Sequence, residues 1–318
     1  MSQKTRRLGV VMDPIGKIKP IKDSTLAMLL EAQSRGWEIK YMEQGDLSIL
    51  DGVAMGRSRP LEVADDTESW FRLGNPGTGA LGDLDAILMR KDPPFDMEYV
   101  YSTYVLERAE AGGALVVNRA AALRDMNEKA YTMWLAECCP PTLITRSHSE
   151  IQAFIAEYGI VVVKPLDGMG GKSIFVIREG DPNGNVIIET LTDYGQRYAM
   201  AQRYIPEIVA GGDKRVLIVD GEPFPYALAR IPAPGDNRGN LAAGARAEGR
   251  PLTDRDRWIC EQAGPILRDQ GVLFAGLDII GDFLTEVNVT SPTCIRELDR
   301  EYGGNIAGLL FDAIEARL

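Results

Sequence analysis

The chain has 318 residues, with 35 Lys and Arg against 46 Asp and Glu, one His, four Cys and a formal net charge of −11. At roughly 150 residues per domain this length predicts two domains with room for a smaller third, and 45% hydrophobic with 25% charged residues excludes wholesale disorder. The acidic balance argues against non-specific nucleic-acid or acidic-membrane binding, which needs a cationic face, and a single His excludes any two-His metal motif.

That residue, His148, sits in Arg146-Ser-His-Ser149, polar company that reads as a solvated helix start. Cys138 and Cys139 are adjacent while Cys260 and Cys294 are isolated, so no zinc or redox spacing appears. Scattered cysteines of this kind predict reduced thiols in the cytoplasm. The basic start is followed only by the short run Leu8 to Met12, too little for a secretory apolar core. No apolar run approaches the roughly 18 residues of a membrane span.

In chain order, Leu8 to Met12 reads as a buried strand ending in Asp13-Pro14. Asp23 or Ser24 then caps a helix with Leu26, Leu29, Leu30 and Gln33 at helical spacing, and Gly36 stops it. Trp37 to Met42 alternates like a strand, and Asp85 to Met89 is another, ending in Arg90-Lys-Asp-Pro-Pro94. Residues 53–84 look irregular, with Gly74-Asn-Pro-Gly-Thr-Gly79 as the clearest loop signal. Phe95 to Ala111 has helical period and Ala114 to Val117 is strand-like. This alternation predicts a parallel, doubly wound sheet, and polar residues after its strands suit either a ligand crevice or plain loops. A long helix over Leu123 to Glu137, stopped by Pro140-Pro141, places the first boundary near residue 122.

The centre reads as a hairpin: strand Ile160 to Val163, then Lys164-Pro-Leu-Asp-Gly-Met-Gly-Gly-Lys-Ser173, then strand Ile174 to Ile177. Gly171-Lys-Ser173 imitates the end of a P-loop, but position 166 is Leu and a strand follows where a helix is needed. What remains is a glycine-rich flap, either a hairpin tip or a set of backbone amides able to approach phosphate oxygens closely. Lys164 beside the flap places a cation there, and Lys129 is either a second one or a solvated helix residue.

The richest constellation is Leu277-Asp278-Ile-Ile-Gly281-Asp-Phe-Leu-Thr-Glu286-Val-Asn288. Glu286 and Asn288, two apart, share a strand face. Asp278 joins them if the connection holds an odd number of residues. Three oxygen ligands on one hairpin suit Mg²⁺; a polar row on an edge hairpin is the alternative. A second hairpin, Arg215 to Val219 and Phe224 to Ile231, carries Arg215 and Arg230 at its far ends. Pro232 to Arg246, poor in apolar residues and bearing Arg238 and Arg246, is either an anion-handling lid or a surface loop.

Four segments together resemble a known family. Arg90-Lys-Asp-Pro-Pro-Phe-Asp96, Lys164-Pro-Leu-Asp-Gly-Met-Gly-Gly171, Arg238-Gly-Asn-Leu-Ala-Ala-Gly244 and Thr285-Glu-Val-Asn-Val-Thr-Ser-Pro-Thr293 are similar to the bacterial glutathione synthetases of the ATP-grasp superfamily, in the same order from about Leu8 to the C-terminus. The resemblance implies an ATP-grasp fold of mixed α/β (α+β) class. Residues 1–122 would form an N-terminal doubly wound α/β domain contributing to the substrate site. Residues 123–202 would form a small central lid domain with the Gly-rich flap, and 203–318 a C-terminal domain with metal ligands and a substrate lid loop. It implies Mg²⁺, with Mn²⁺ as substitute, and ATP as co-substrate in joining γ-glutamylcysteine to glycine through an acyl phosphate. Another ATP-grasp carboxylate–amine ligase would share the ATP site but not the substrates.

Site residues follow by resemblance. Lys129 and Lys164 contact ATP phosphates, with Gly168, Gly170, Gly171 and Ser173 closing over them. Gln202, Tyr204 and Ile205 lie along the adenine and Asp213 near the ribose. Asp278, Glu286 and Asn288 match the metal ligands. Arg215, Arg230 and Arg238 match residues handling the transferring phosphate or substrate carboxylate, with Asn240 and Arg90 beside the substrate. The chain departs from the pattern at its extended N-terminus and at Lys172. A cytoplasmic homo-oligomer, a tetramer by analogy, with no nucleic-acid or membrane partner completes the expectation.

Overall fold

The computed structural model describes residues 5–168, 173–233 and 246–318, arranged around three sheets. In the first, Arg7–Met12, Glu38–Met42, Ala86–Arg90 and Leu115–Val117 run parallel, as the alternation predicts. Helix Ser24–Ser34, capped by Asp23 through the Leu26 amide, and helix Met97–Ala111 cover it.

The segment read as irregular is instead an 11-residue strand, Val53–Val63, antiparallel to Glu38–Met42. It also pairs with Leu47–Leu50, Phe71–Leu73 and Gly77–Ala80, so the sheet is mixed rather than purely parallel. The physical reason is that small residues, Ala54 and Gly56, fill part of its buried side and leave no hydrophobic alternation to read. Gly56 is required there, because a Cβ would meet Leu81 and Met42 at 2.5 and 2.7 Å.

The long helix expected over 123–137 is also absent. Helix Ala120–Asp125 ends, and a separate 3₁₀ helix runs over Ala130–Cys138. Asn127 makes the break: its side-chain oxygen accepts from the Lys129 and Ala130 amides, and its amide donates to the Leu166 carbonyl. A local side-chain turn of this kind competes directly with helical hydrogen bonds.

The second sheet is antiparallel, in the order Phe175–Arg178, Ile160–Pro165, Ala199–Arg203, Thr142–Thr145. Helices His148–Tyr158 and Gly184–Thr192 pack against it through Ile151, Ile155, Ile188 and Leu191. His148 does open the first of these, but it is half-buried rather than solvated, and its Nε2 has no partner. The third sheet, also antiparallel, runs Arg246–Pro251, Glu222–Ile231, Asp213–Val219, Phe274–Ile280, Phe283–Asn288. Helix Asp254–Asp269, with a Thr253–Asp256 capping box, backs it.

The first and third sheets share one core. Leu26, Leu29 and Trp37 pack in the same cluster as Leu217, Leu298, Phe311 and Ile314. Helix Ile306–Glu315 lies on the first unit, with Phe311 edge-on to Trp37 at 5.6 Å and Arg35 reaching Asp312, Glu315 and the Gly308 carbonyl. Asn118, at the end of strand Leu115–Val117, adds a polar joint. Its amide nitrogen donates to the carbonyls of Phe274 and Val289 at 2.7 and 2.6 Å. Its oxygen accepts from the amides of Leu273 and Phe274, both at 2.9 Å. The second sheet has a core of its own.

Candidate active site

Where the three sheets meet lies a cavity of about 540 Å³. Val162 and Val176 from the second sheet, with Ile174 just before its edge strand, line the cavity together with Ile205, Ile208 and Ile280, giving one apolar part suited to a flat aromatic ring. Gln202, Tyr204 and Ile205 line the cavity, Gln202 donating to Thr142 Oγ1 at 3.0 Å.

Below it, cations converge. Lys164, the penultimate residue of its strand, is buried, with Nζ 3.4 Å from the Thr285 carbonyl and 3.8 Å from Glu286. Lys129 is 2% exposed, not solvated, because the Asn127 turn directs it inward. Its Nζ donates to the Gly168 carbonyl at 2.6 Å, pairs with Glu128 and stands 3.5 Å from Glu286. Burial lowers the Lys164 pKa despite Glu286, whereas Glu286 and Glu128 outweigh burial and raise that of Lys129. Glu128 itself, desolvated and facing Glu286, is pushed up to about 7.

The carboxylate hairpin, Phe274–Ile280 with Phe283–Asn288, settles the parity question. Gly281-Asp282 makes a two-residue turn, and a bulge between Asp278 and Ile279 leaves Thr285 as the extra residue, so Asp278 stands directly opposite Glu286. Thr285 Oγ1 donates back to the Asp278 carbonyl at 3.0 Å. Asp278, Glu286 and Asn288 therefore share one face toward the cavity.

Asp278 is not free, however. Arg215 grips it through both Nε and a terminal nitrogen, the latter at 2.9 Å, and Arg230 reaches it at 2.9 Å. Burial would raise this carboxyl, but the two guanidiniums hold it well below the usual range. The arginines do converge, as their places on the hairpin suggest: Asp213 pairs in register with Arg230 and Arg215 with Asp278. Gly276 makes room, since a Cβ there would lie 2.8 Å from Arg215 Cδ. Asp213 accepts from Arg230, yet its Oδ1 is buried without a partner, and burial with Asp278 and Glu286 nearby pushes it up to about 7. Among the described residues no three His, Cys, Asp or Glu side chains stand together as a ready metal cluster.

Two expectations differ. Arg90 is buried and does not line the cavity; its guanidinium donates to Thr25 Oγ1 and the Pro292 carbonyl, so it braces the loop behind the site. Ser173 is exposed with a left-handed φ of 58° and also stands outside the lining. Gly170, Gly171, Lys172, Arg238 and Asn240 lie outside the described residues. Sequence reasoning missed Glu128, Lys19, Lys22, Asp23, Asp92 and Glu297, all on the cavity wall. Glu128, between Asn127 and the expected Lys129, was the one with a usable signal.

A nucleotide-sized cleft between two antiparallel sheets, with Lys164 near a strand end, Lys129 on the turn beside it and an acidic hairpin facing them, defines an ATP-grasp ligase. Solved structures agree on the fold: that of D-cycloserine synthetase DcsG superposes with a TM-score of 0.68 at 15% identity, covering 98% of this chain and 99% of that one. The family model for the prokaryotic glutathione synthetase N-terminal domain matches residues 7–124, and that for its ATP-grasp domain matches 128–303. Curated relatives called glutathione synthetase are 59% identical in Pseudomonas aeruginosa and 57% in Vibrio cholerae and Escherichia coli, over 98% of each chain. The chain belongs to the prokaryotic glutathione synthetase family, and it is an ATP-dependent ligase of glutathione biosynthesis.

Proposed function

We propose that the chain joins γ-glutamylcysteine to glycine at this cavity. The ATP γ-phosphoryl group passes to the cysteinyl carboxylate, releasing ADP. The glycine amine then attacks the acyl carbon, expelling phosphate and losing a proton to leave glutathione. The observation that carries the reading is the convergence of Lys129, Lys164, Arg215 and Arg230 on one cavity beside an apolar slot. Both steps develop or move anionic charge, and fixed cations in a desolvated site stabilise it without a protein nucleophile.

In this reading Lys129 and Lys164 hold the nucleotide phosphates, Gln202, Tyr204 and Ile205 flank the adenine and Asp213 lies near the ribose. Arg215 and Arg230, pre-oriented by Asp278, take the transferring phosphate or the substrate carboxylate. Arg238, Asn240 and the glycines at 168, 170 and 171 close the site. Asp278, Glu286 and Asn288 would hold the divalent ion. The donor set is all oxygen, the Asn288 amide oxygen has no partner among the described residues, and Glu128 and Asp213 are carboxyls pushed upward by burial and by neighbouring carboxylates, despite Lys129 and Arg230 beside them. Mg²⁺, or Mn²⁺ in its place, would neutralise phosphate charge there.

We place the divisions near residues 122 and 202, a reading supported by helix Ala120–Asp125 following the first sheet's last strand and by strand Ala199–Arg203 being the last of the second sheet. We also place the reaction in the cytoplasm, which the four free, buried cysteines suit. A homo-oligomer, by analogy a tetramer, is consistent with Ile49, Leu50 and Val53 standing exposed on one hairpin. Among the described residues no helix is long and apolar enough to cross a membrane. The test is ADP release with Mg-ATP, γ-glutamylcysteine and glycine, each omitted in turn, with the product weighed by mass spectrometry. Dependence on all three with glutathione formed supports the reading. Release only with another acid and amine keeps the ATP site and discards the substrates.

A further inference from the structure

A second cavity, of about 460 Å³, opens in the first unit and shares no lining residue with the catalytic one. Its wall continues a single sheet face. On strand Val53–Val63, Val63 and Leu61 pack in the core with Leu26 and Leu29 of helix Ser24–Ser34, and Phe71 and Leu73 pair with them in register. By strand alternation the next two positions on that face are Arg59, directly opposite Tyr41, and Arg57. A face that is apolar at two positions thus becomes cationic at the next two. Arg57 and Arg59 line the cavity together with Tyr41, Phe71 and Leu73.

Those charges are unspent. Arg57 has no hydrogen-bond or ion-pair partner among the described residues. Arg59 donates there only through Nε, to the Gly74 carbonyl at 3.0 Å, which anchors the guanidinium and leaves both terminal nitrogens open. Two carboxylates line the same cavity without pairing across it, because both are committed locally. Glu43 accepts from the Tyr41 hydroxyl at 2.6 Å, and Asp46 accepts from the Glu43 amide at 2.8 Å, the two closing a reciprocal cap on the 3₁₀ turn Gln44–Asp46. Tyr41 accepts in turn from the Ile15 amide at 3.2 Å, so the acidic side is fastened to backbone on two strand ends.

We propose that this cavity is a second binding site, for a small organic acid with a flat apolar body. Arg57 and Arg59 hold its carboxylate, which the planar guanidinium fork fits, and its body lies against Phe71 and Leu73. About 460 Å³ falls within the roughly 300–1,000 Å³ of small-molecule sites. A bare inorganic anion would leave the apolar side unused, and a cation would meet only carboxylates already engaged. The reacting groups lie elsewhere, so turnover does not require this site to be filled.

The probe is 2-naphthoate, titrated by calorimetry into the full chain with Mg-ADP at saturation, so that the catalytic slot for a flat ring is already filled. Binding is expected with a Kd on the order of 1 mM or tighter. The neutral amide of the same ring should bind about tenfold more weakly or worse. Replacing both exposed arginines, Arg57→Gln with Arg59→Gln, should weaken 2-naphthoate about 10- to 100-fold and leave ADP release unchanged. No binding by the unaltered chain, equal affinity for acid and amide, or an affinity that the double variant retains would each overturn the assignment. A shifted gel-filtration volume in the double variant would make the arginines a contact between copies, and the assignment would fall. All of these results leave the ligase reaction standing. A chain that releases no ADP with γ-glutamylcysteine and glycine overturns that reaction and not this site.

Discussion

Replacing Asn118 by Leu tests how the carboxylate hairpin is held. The side chain makes four buried hydrogen bonds at 2.6–2.9 Å, two to carbonyls and two from amides, bridging the start of strand Phe274–Ile280 and the residue just past Phe283–Asn288. At about 1 kcal/mol net for each bond, and more for each backbone group left unpaired, the change should cost about 4–6 kcal/mol. That is a large part of the roughly 5–15 kcal/mol that holds a typical domain. Urea unfolding at pH 7.5 reads the loss as a lowered midpoint. The same protein, assayed below its transition, should need several-fold more Mg²⁺ for half-activation, because both ends of the hairpin bearing Glu286 and Asn288 are released. Asn118→Asp sharpens the test, since its carboxylate would face two carbonyls and its folded-state pKa would rise. Its stability should be greatest at low pH and fall as pH increases. A Leu variant with an unchanged midpoint and an unchanged Mg²⁺ requirement would refute the reasoning.

Glu286→Gln should lower kcat about 100-fold or more while the circular dichroism stays normal, because a charged oxygen 3.5 Å from Lys129 and 3.8 Å from Lys164 is lost. Near-normal turnover would remove Glu286 from the machinery. Lys164→Met should weaken ATP binding about 10- to 100-fold by calorimetry, and an unaltered affinity would take Lys164 off the phosphates. Asp213 gives a pH signature. Its carboxyl is raised from an ordinary 3.8 to about 7, so the folded chain holds that proton more tightly than the unfolded one. The contribution is full below about pH 4 and lost as pH rises through about 7. Stability of the unaltered chain relative to Asp213→Asn should therefore fall across that window and then level, and a flat difference would sink the assignment.

Much of this architecture is legible in the residues, for reasons that differ by element. Parallel strands such as Leu8 to Met12 announce themselves because both faces are buried and the run is wholly apolar. Strand Val53–Val63 stays hidden because Ala54 and Gly56 do its packing against larger neighbours. In the site, Glu286 and Asn288 follow from two-residue periodicity alone, while Asp278 depended on a bulge at Thr285 that no periodicity encodes. Lys129 was ambiguous because helical spacing runs through Asn127, and only the turn made by that side chain sends the lysine inward. Arg90 carries the right chemistry for an anion, yet its guanidinium is taken by Thr25 and Pro292, partners brought to it only by the folded chain. Glu297 lacked any local cue, since only the folded chain brings it to the cavity wall.

The seating of helix Ile306–Glu315 against Trp37 has a bearing on how the protein is born. At about 5–20 residues per second, a ribosome finishes the first sheet long before it makes Phe311, leaving an interval on the order of tens of seconds. Throughout that interval Trp37, Leu26 and Leu29 lack the apolar partners that complete their core. The nascent first unit is thus an unfinished body that must stay soluble until the last helix leaves the exit tunnel, whereas the middle unit can close on itself as soon as strand Ala199–Arg203 emerges.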